Sequence, residues 1–184
     1  THPQLLDWLA TTFVESGWDV KAMHKLIVMS ATYRQASESP GDDSSYVRDP
    51  KNELLSRGPR HRLPSWMLRD QALAASGLLN GERGGPPVKP YQPEGIWAEA
   101  TFGAIKYQQG GANELHRRSL YTFWRRIVGP PVFFDAGKRQ TCEVKPSRTN
   151  SPLHALTTWN ETTFVESARA LAQRVMQEVP AEEN

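Results

Sequence analysis

The residues best suited to bind a ligand are concentrated between His116 and Asn160, here called the basic segment. Two arginine pairs, Arg117-Arg118 and Arg125-Arg126, lie on either side of an aromatic run in this segment. From residue 117 to residue 148 there are eight lysines or arginines and two acidic residues. Planar guanidinium groups form bidentate contacts with carboxylate and sulfate groups, so the segment favours anionic partners.

Two interpretations of these arginines are open. In the first, which is favoured, they pair with internal acids such as Asp70, Asp135 and Glu143 and hold loops together. In the second they form a site for the sulfate or uronate groups of a ligand. The candidate residues for such a site are Arg117, Arg118, Arg126, Arg148, Asp135 and Trp124.

Metal, cofactor and nucleophile signals are weak. No two of the five histidines have the His-x-x-x-His spacing that places two imidazoles on one helix face, and Cys142 is the only cysteine. A zinc site made from Cys142, His116 and a carboxylate is the remaining alternative. Haem, dinucleotide and P-loop motifs are missing, and Cys142 has no signature of a nucleophile, so no metal or cofactor is expected.

Carboxylates near aromatic residues suggest another chemistry, the hydrolysis of glycosidic bonds by paired acids. The candidates are Glu94, Glu99, Asp135 and Glu143. This interpretation requires carboxylates that converge in a cleft beside Trp97 or Trp124.

Composition excludes several classes of protein. The formal net charge of +2 lacks the basic excess typical of a nucleic-acid binder. No run approaches the ~20 apolar residues of a membrane helix. A length of 184 residues suits one domain, which we expect to span the whole chain, 1–184. The start at Thr1-His2-Pro3 suggests a fragment of a larger protein.

Hydrophobic periodicity predicts a mainly α fold. A helical hairpin is expected at 3–31, because apolar residues recur every three or four positions on both sides of Gly17. Further helices are expected within about 50–80, the first opening at Asp49-Pro50, and C-terminal helices at 152–178. The stretch from Tyr33 to Arg48 is predicted to be a loop.

A small antiparallel β element is predicted around 96–147, within a β and loop region at 84–150. The segment 96–102 alternates weakly between apolar and polar residues, and 119–124 is rich in aromatic and β-tending residues. Residues 142–145 are the third candidate strand.

Short motifs in a fixed order give the chain a family resemblance. They are HPQLLDWLA (2–10), SATYRQ (30–35), RD (69–70), GGPPV (84–88), RRSLY (117–121), FDA (134–136), Cys142, RTNSPL (148–153) and FVE (164–166). This series resembles the planctomycete-type domain of unknown function 1553, over nearly the whole chain. Two positions depart from its pattern: Gly137 replaces a common proline, and Trp159-Asn160-Glu161 replaces Leu-Asn-Asp.

The resemblance implies a context rather than a reaction. Members lie near the C-terminus of large exported proteins, often with a companion uncharacterised domain and a planctomycete-type cytochrome c domain. We therefore expect a non-catalytic structural or interaction module of an exported, periplasmic or cell-surface protein, with those domains as partners. Two alternatives stay open: an enzyme part or binding module for carbohydrate or sulfated polysaccharide, and a docking surface for an attached cytochrome c domain.

Overall fold

A computed structural model describes residues 1–38, 44–125, 127–136 and 148–178. Within these ranges the fold is mainly α, as predicted, and divides into two compact units, Thr1–His61 and Arg62–Asn184. The prediction of one domain over 1–184 stays a prediction. The helices are α1 (Pro3–Glu15), α2 (Val20–Met29), α3 (Ser44–Arg48), α4 (Ser65–Ser76), α5 (Ile96–Ala100), α6 (Ala112–Leu115), α7 (Pro152–Asn160) and α8 (Thr162–Glu178), with a 3₁₀ turn at Ser119–Tyr121.

The first unit begins with the predicted helical hairpin. Pro3 opens α1, where its missing N–H costs nothing, and the Asp19 carboxylate caps α2 by accepting from the Ala22 N–H at 3.0 Å. Gly17 and Trp18 both adopt positive φ in the turn. The Trp18 ring packs edge-on against Phe13, with centroids 5.2 Å apart. Helices α1 and α2 pack together, yet neither contains a buried residue.

The prediction that a short helix opens at Asp49-Pro50 is wrong. The Asp49 carboxylate instead accepts from the Glu53 and Leu54 N–H groups at 2.8 and 2.7 Å, and Asn52 and Leu55 have positive φ. An aspartate that bonds its own downstream backbone competes with helix formation. The helix in this part of the chain is α3, which lies inside the stretch predicted to be a loop.

The second unit is built on the packing of α4 against α8, with α7 also against α8. Its buried apolar residues come from both helices and loops: Leu73, Val88, Trp97, Leu115, Val128, Val132 and Phe133. Helix α4 ends at Gly77, whose φ of 79° lets the Leu78 and Leu79 N–H groups turn back to the Leu73 carbonyl at 3.0 Å. This closed end fixes the depth of α4 in the core.

The predicted antiparallel β element is not found among the described residues. Residues 96–100 form α5, and 119–121 form the 3₁₀ turn. The β pairing consists of isolated bridges, of which Asn80–Arg117 and Val88–Thr122 are parallel and Arg125–Val128 is antiparallel. The third candidate strand, 142–145, lies outside the described residues.

Packing explains the first of these corrections. Trp97 is buried and stacks on Tyr107 and Phe123, with ring centroids 5.4 and 5.8 Å apart. A single turn of helix delivers this one large side chain to the core, and alanine and glutamate, its neighbours, are good helix formers. No helix of the described ranges has the length and apolar character required of a membrane span.

Candidate functional site

Arg69 on α4 lies at the centre of the arginine network and is fully buried. Its Nη1 donates to the Arg117 carbonyl at 2.9 Å and to Ser119 Oγ at 3.2 Å. Its Nη2 donates to the Leu115 carbonyl at 2.6 Å. Burial lowers the pKa of Arg69, while the negative charges of Asp70 and Glu161 raise it. A guanidinium does not lose its proton in a protein, so this charge is held in the core by carbonyl oxygens.

Asp70, the next residue of α4, fixes the 3₁₀ turn. Its Oδ1 accepts from the Ser119 N–H at 2.8 Å and from Ser119 Oγ at 2.7 Å. Two cations lie near the same carboxylate, with Arg69 Nη1 at 3.6 Å and Arg118 Nε at 3.9 Å. Adjacent residues of α4 therefore hold both backbone and side-chain groups of residues 115–119.

Arg117 is also buried and holds the glycine-proline loop at 84–87. It donates to the carbonyls of Glu82 at 3.2 Å and Pro86 at 3.3 Å, and to that of Gly84. Its guanidinium carbon lies 4.1 Å above the Tyr121 ring, and the Tyr121 hydroxyl accepts from the Gly84 N–H at 2.9 Å. These contacts engage both terminal nitrogens, and because Arg117 is only 4% exposed its guanidinium is shielded from an anion in solvent.

Asp135 and His154 form a second cluster. The Asp135 carboxylate accepts from the Thr149 N–H at 2.7 Å and hydroxyl at 2.8 Å, and His154 Nε2 lies 3.7 Å away. Phe134 stacks on the His154 ring with a centroid distance of 4.3 Å. Burial opposes ionisation of Asp135, but the Thr149 bonds and the charges of His154 and Arg62 outweigh it and lower the pKa.

Arg148 is exposed and lines a small cavity together with Asp135. Its Nη1 donates to the Arg62 carbonyl, and Arg62 Nη1 donates to Asn150 Oδ1. Asp135, Arg62 and Arg148 line a cavity of about 10 Å³. That volume holds at most about one water molecule, which is too small for a sulfate group.

Of the six candidate residues, those that the structure describes therefore do not form one site, because they belong to different clusters. Arg117 and Arg118 belong to the α4 network, Arg118 being the more exposed of the two, and Arg148 and Asp135 belong to the His154 cluster. Trp124 packs edge-on against Phe133 at 6.3 Å. Arg126 lies outside the described residues, as do Cys142 and Glu143 of the other hypotheses. No group of three or more potential metal ligands occurs within the described ranges.

A groove that the sequence did not indicate lies where α7 meets α8. A cavity of about 540 Å³ is lined by the segment 91–94, Gln109, Pro131, residues 156–157 and residues 160–162. A neighbouring cavity of about 440 Å³ shares Gln92, Pro93, Glu94 and Gln109. The sequence proposed Glu94 as a candidate carboxylate but not Glu161. Helical periodicity predicts α7 and α8, but it does not predict that their junction faces a loop 70 residues earlier in the chain.

Ionisable groups beside this groove are linked to one another. The Tyr91 hydroxyl donates to Glu166 Oε2 at 3.2 Å, and His116 Nε2 lies 3.1 Å from the same oxygen without hydrogen-bond alignment. Burial and the Glu166 charge raise the pKa of Tyr91. Burial also raises the pKa of Glu161, against the opposing effect of hydrogen bonds from Thr163.

The fold and these clusters define a class: a mainly helical protein whose buried arginines organise the core of the second unit and which has cavities of ligand size beside α7 and α8. The sequence profile of the family PSD1, protein of unknown function (DUF1553), matches residues 1–183, and the chain belongs to that family. Comparison with curated proteins and with solved structures found no match.

Proposed function

We propose that this chain is a non-catalytic structural or interaction module of an exported multidomain protein. The basic segment supports a structural function, since Arg117 is buried and Asp135 is bonded within the fold. No cofactor is needed for this function. Exported here means periplasmic or cell-surface, and the partners are the companion and cytochrome c-like domains of the same polypeptide.

The observation that carries the interaction function is the apolar surface of the α1–α2 hairpin. Large apolar side chains on both helices are 38–68% exposed: Leu5, Leu6, Trp8, Val14, Val20, Leu26, Ile27, Val28 and Met29. So many exposed large apolar side chains on one hairpin are typical of a protein–protein contact surface. The neighbouring domains of the same polypeptide are the partners that would cover it.

Binding of this chain to the separately expressed neighbouring domains tests the proposal, by isothermal titration calorimetry. Leu6→Glu places a charge on the apolar face of α1 and is expected to weaken binding at least tenfold, by about 1.4 kcal/mol or more. Gln4→Glu is the matched control, because Gln4 is exposed, is polar in the native chain and lies on the opposite side of α1 from Leu6. Its dissociation constant should stay within about twofold of wild type.

Two results would overturn the interaction function. One is no binding of any neighbouring domain to the wild-type chain. The other is equal binding by the Leu6→Glu and Gln4→Glu variants, provided that circular dichroism shows both helices intact.

The alternatives are affected differently by the structure. Docking of a cytochrome c domain on the basic segment loses one of its cations, because Arg117 is buried. An anion site for sulfated polysaccharide loses Arg117 for the same reason. One observation favours a site for uncharged carbohydrate. Glu94 and Glu161 line the same groove, and Glu94 also lines the adjoining cavity together with Trp97.

A further inference from the structure

The groove at the α7–α8 junction has the dimensions of a ligand site. Its two cavities, about 540 and 440 Å³, adjoin through Gln92, Pro93, Glu94 and Gln109. Sites for small organic ligands commonly measure about 300–1,000 Å³. The two together form an elongated surface rather than a single closed pocket.

The larger cavity is lined by uncharged hydrogen-bonding groups and carboxylates. Amides come from Gln92, Gln109 and Asn160, and carboxylates come from Glu94 and Glu161. No described lysine or arginine lines it. Across both cavities the carboxylates of Glu94 and Glu161 outnumber the one described cation, Lys106 of the neighbouring cavity, and this balance disfavours sulfate or uronate groups.

The floor of the groove is fixed by a buried bond. Trp97 Nε1 donates to Gln92 Oε1, which determines which end of this amide is the oxygen. The Gln92 Nε2 group is then buried without a hydrogen-bond partner in the described structure. A buried N–H without a partner is costly, so a ligand acceptor that a shift of the Gln92 side chain brought into contact with Nε2 would be bound favourably.

Peptide ligands fit this lining less well. Strand addition requires free backbone N–H groups along an edge, and Pro93 and Pro131 in the wall have none. A docked amphipathic helix buries an apolar face, and here it would bury the carboxylates of Glu94 and Glu161 against that face. A sugar hydroxyl, in contrast, both donates to a carboxylate and accepts from an amide.

We propose that this groove binds a short, uncharged oligosaccharide, with Glu94 and Gln109 as hydrogen-bonding residues where the two cavities meet. The rings would lie against the apolar faces of Tyr91, Pro93 and Pro131, and hydroxyl groups would meet the amides and carboxylates. The inference is independent of the hairpin surface, so either proposal can fail while the other stands.

The test is titration of the ¹⁵N-labelled chain by NMR with cellotetraose, xylotetraose and mannotetraose, and with a chondroitin sulfate tetrasaccharide. At least one neutral tetrasaccharide should shift the amide signals of residues 92–94 and 160–162 and saturate below about 10 mM. The sulfated probe should not. Glu94→Ala and Gln109→Ala should each weaken binding about tenfold, as expected for the loss of one hydrogen bond to the ligand.

Matched controls lie beside both positions. Glu99 and Gln108 are exposed and do not line either cavity, so Glu99→Ala and Gln108→Ala should bind like wild type. All four variants change exposed side chains and should fold. The proposal is overturned if no neutral probe binds by about 10 mM, if the sulfated probe binds more tightly, or if the groove variants bind as well as their controls.

Discussion

Arg69 donates a hydrogen bond of 2.9 Å to the main-chain oxygen of Arg117, so one buried arginine positions the backbone of another. The Arg117 side chain extends away from that contact to the carbonyls of Glu82, Gly84 and Pro86. The terminal nitrogens of both guanidinium groups thus bond mainly to backbone oxygens, while both Nε atoms are buried without a hydrogen-bond partner among the described residues. This arrangement connects α4, the 3₁₀ turn and the 84–87 loop by side chains that each present several donors in fixed geometry.

Arg69→Lys should destabilise the protein by about 3 kcal/mol. A lysine keeps the charge but loses the planar fork that reaches the Leu115 and Arg117 carbonyls, leaving buried acceptors unpaired. Urea denaturation followed by circular dichroism measures the change. Arg83→Lys, at an exposed position, should change stability by less than about 0.5 kcal/mol, and a similarly small loss for Arg69→Lys would contradict the buried-network assignment.

Arg117→Lys and Arg118→Lys separate a structural from a surface arginine. Arg117 is 4% exposed, whereas the Arg118 side chain is 51% exposed and 3.9 Å from Asp70. We expect a loss of about 2 kcal/mol for Arg117→Lys and of less than about 1 kcal/mol for Arg118→Lys. Thermal unfolding of the two variants, measured side by side, gives the two losses of stability. Equal losses would argue against a structural function of Arg117 that Arg118 lacks.

The contribution of Asp135 to stability should disappear in acid. Its pKa in the folded protein is lowered from 3.8, so its stabilising effect is complete above that value and is lost as the pH falls through the folded pKa. Asp135→Asn should cost about 1 kcal/mol at pH 7, with the difference from wild type shrinking below pH 3.8.

Asparagine is the suitable replacement because φ at residue 135 is 56°, a conformation that asparagine tolerates. Urea denaturation across the pH range gives the comparison, and Asp7→Asn on the exposed surface of α1 is the control. A difference that is constant from pH 7 into the acid range would show that the charge of Asp135 is not stabilising.

Gly58→Ala should destabilise the first unit by about 2 kcal/mol. A Cβ at this position would lie 2.5 Å from the Gln35 carbonyl oxygen, a backbone atom that cannot rotate away. The Gly58 N–H also donates to the Ala36 carbonyl at 2.9 Å, and this hydrogen bond joins the two loop segments. Gly81→Ala has open space around it and should be neutral within about 0.5 kcal/mol, with hydrogen exchange reporting which unit changes.

The sequence predicted those elements whose signals are local. Periodic apolar residues, Pro3 and Asp19 were enough for the hairpin, and Pro64 and Gly77 bracket α4. The β element is not confirmed among the described residues, because the aromatic side chains of 119–124 pack as rings instead: Phe123 stacks on Trp97 and Tyr121 lies under Arg117. Composition cannot distinguish a strand from a loop held by such contacts.

The candidate site was harder to predict for a related reason. Asp70 lies beside Arg69 and Arg118, and the sequence suggested it as an acidic partner for the arginines. Most of the contacts of Arg69 and Arg117, however, are with backbone carbonyls, which every residue possesses and no motif reveals. The groove was missed because Glu94 and Glu161 are 67 positions apart and meet only through the packing of the second unit.

The acceptors of Arg69 lie 46 to 50 residues further along the chain than the arginine itself. During synthesis α4 therefore emerges well before the carbonyls that solvate its guanidinium, and until then that charge must remain in water. Helix α8, which packs against α4, emerges later still, so the acceptors of Arg69 are available before α8 can cover the cation. The arginine thereby couples the burial of one helix to a segment 46 to 50 residues further along the chain.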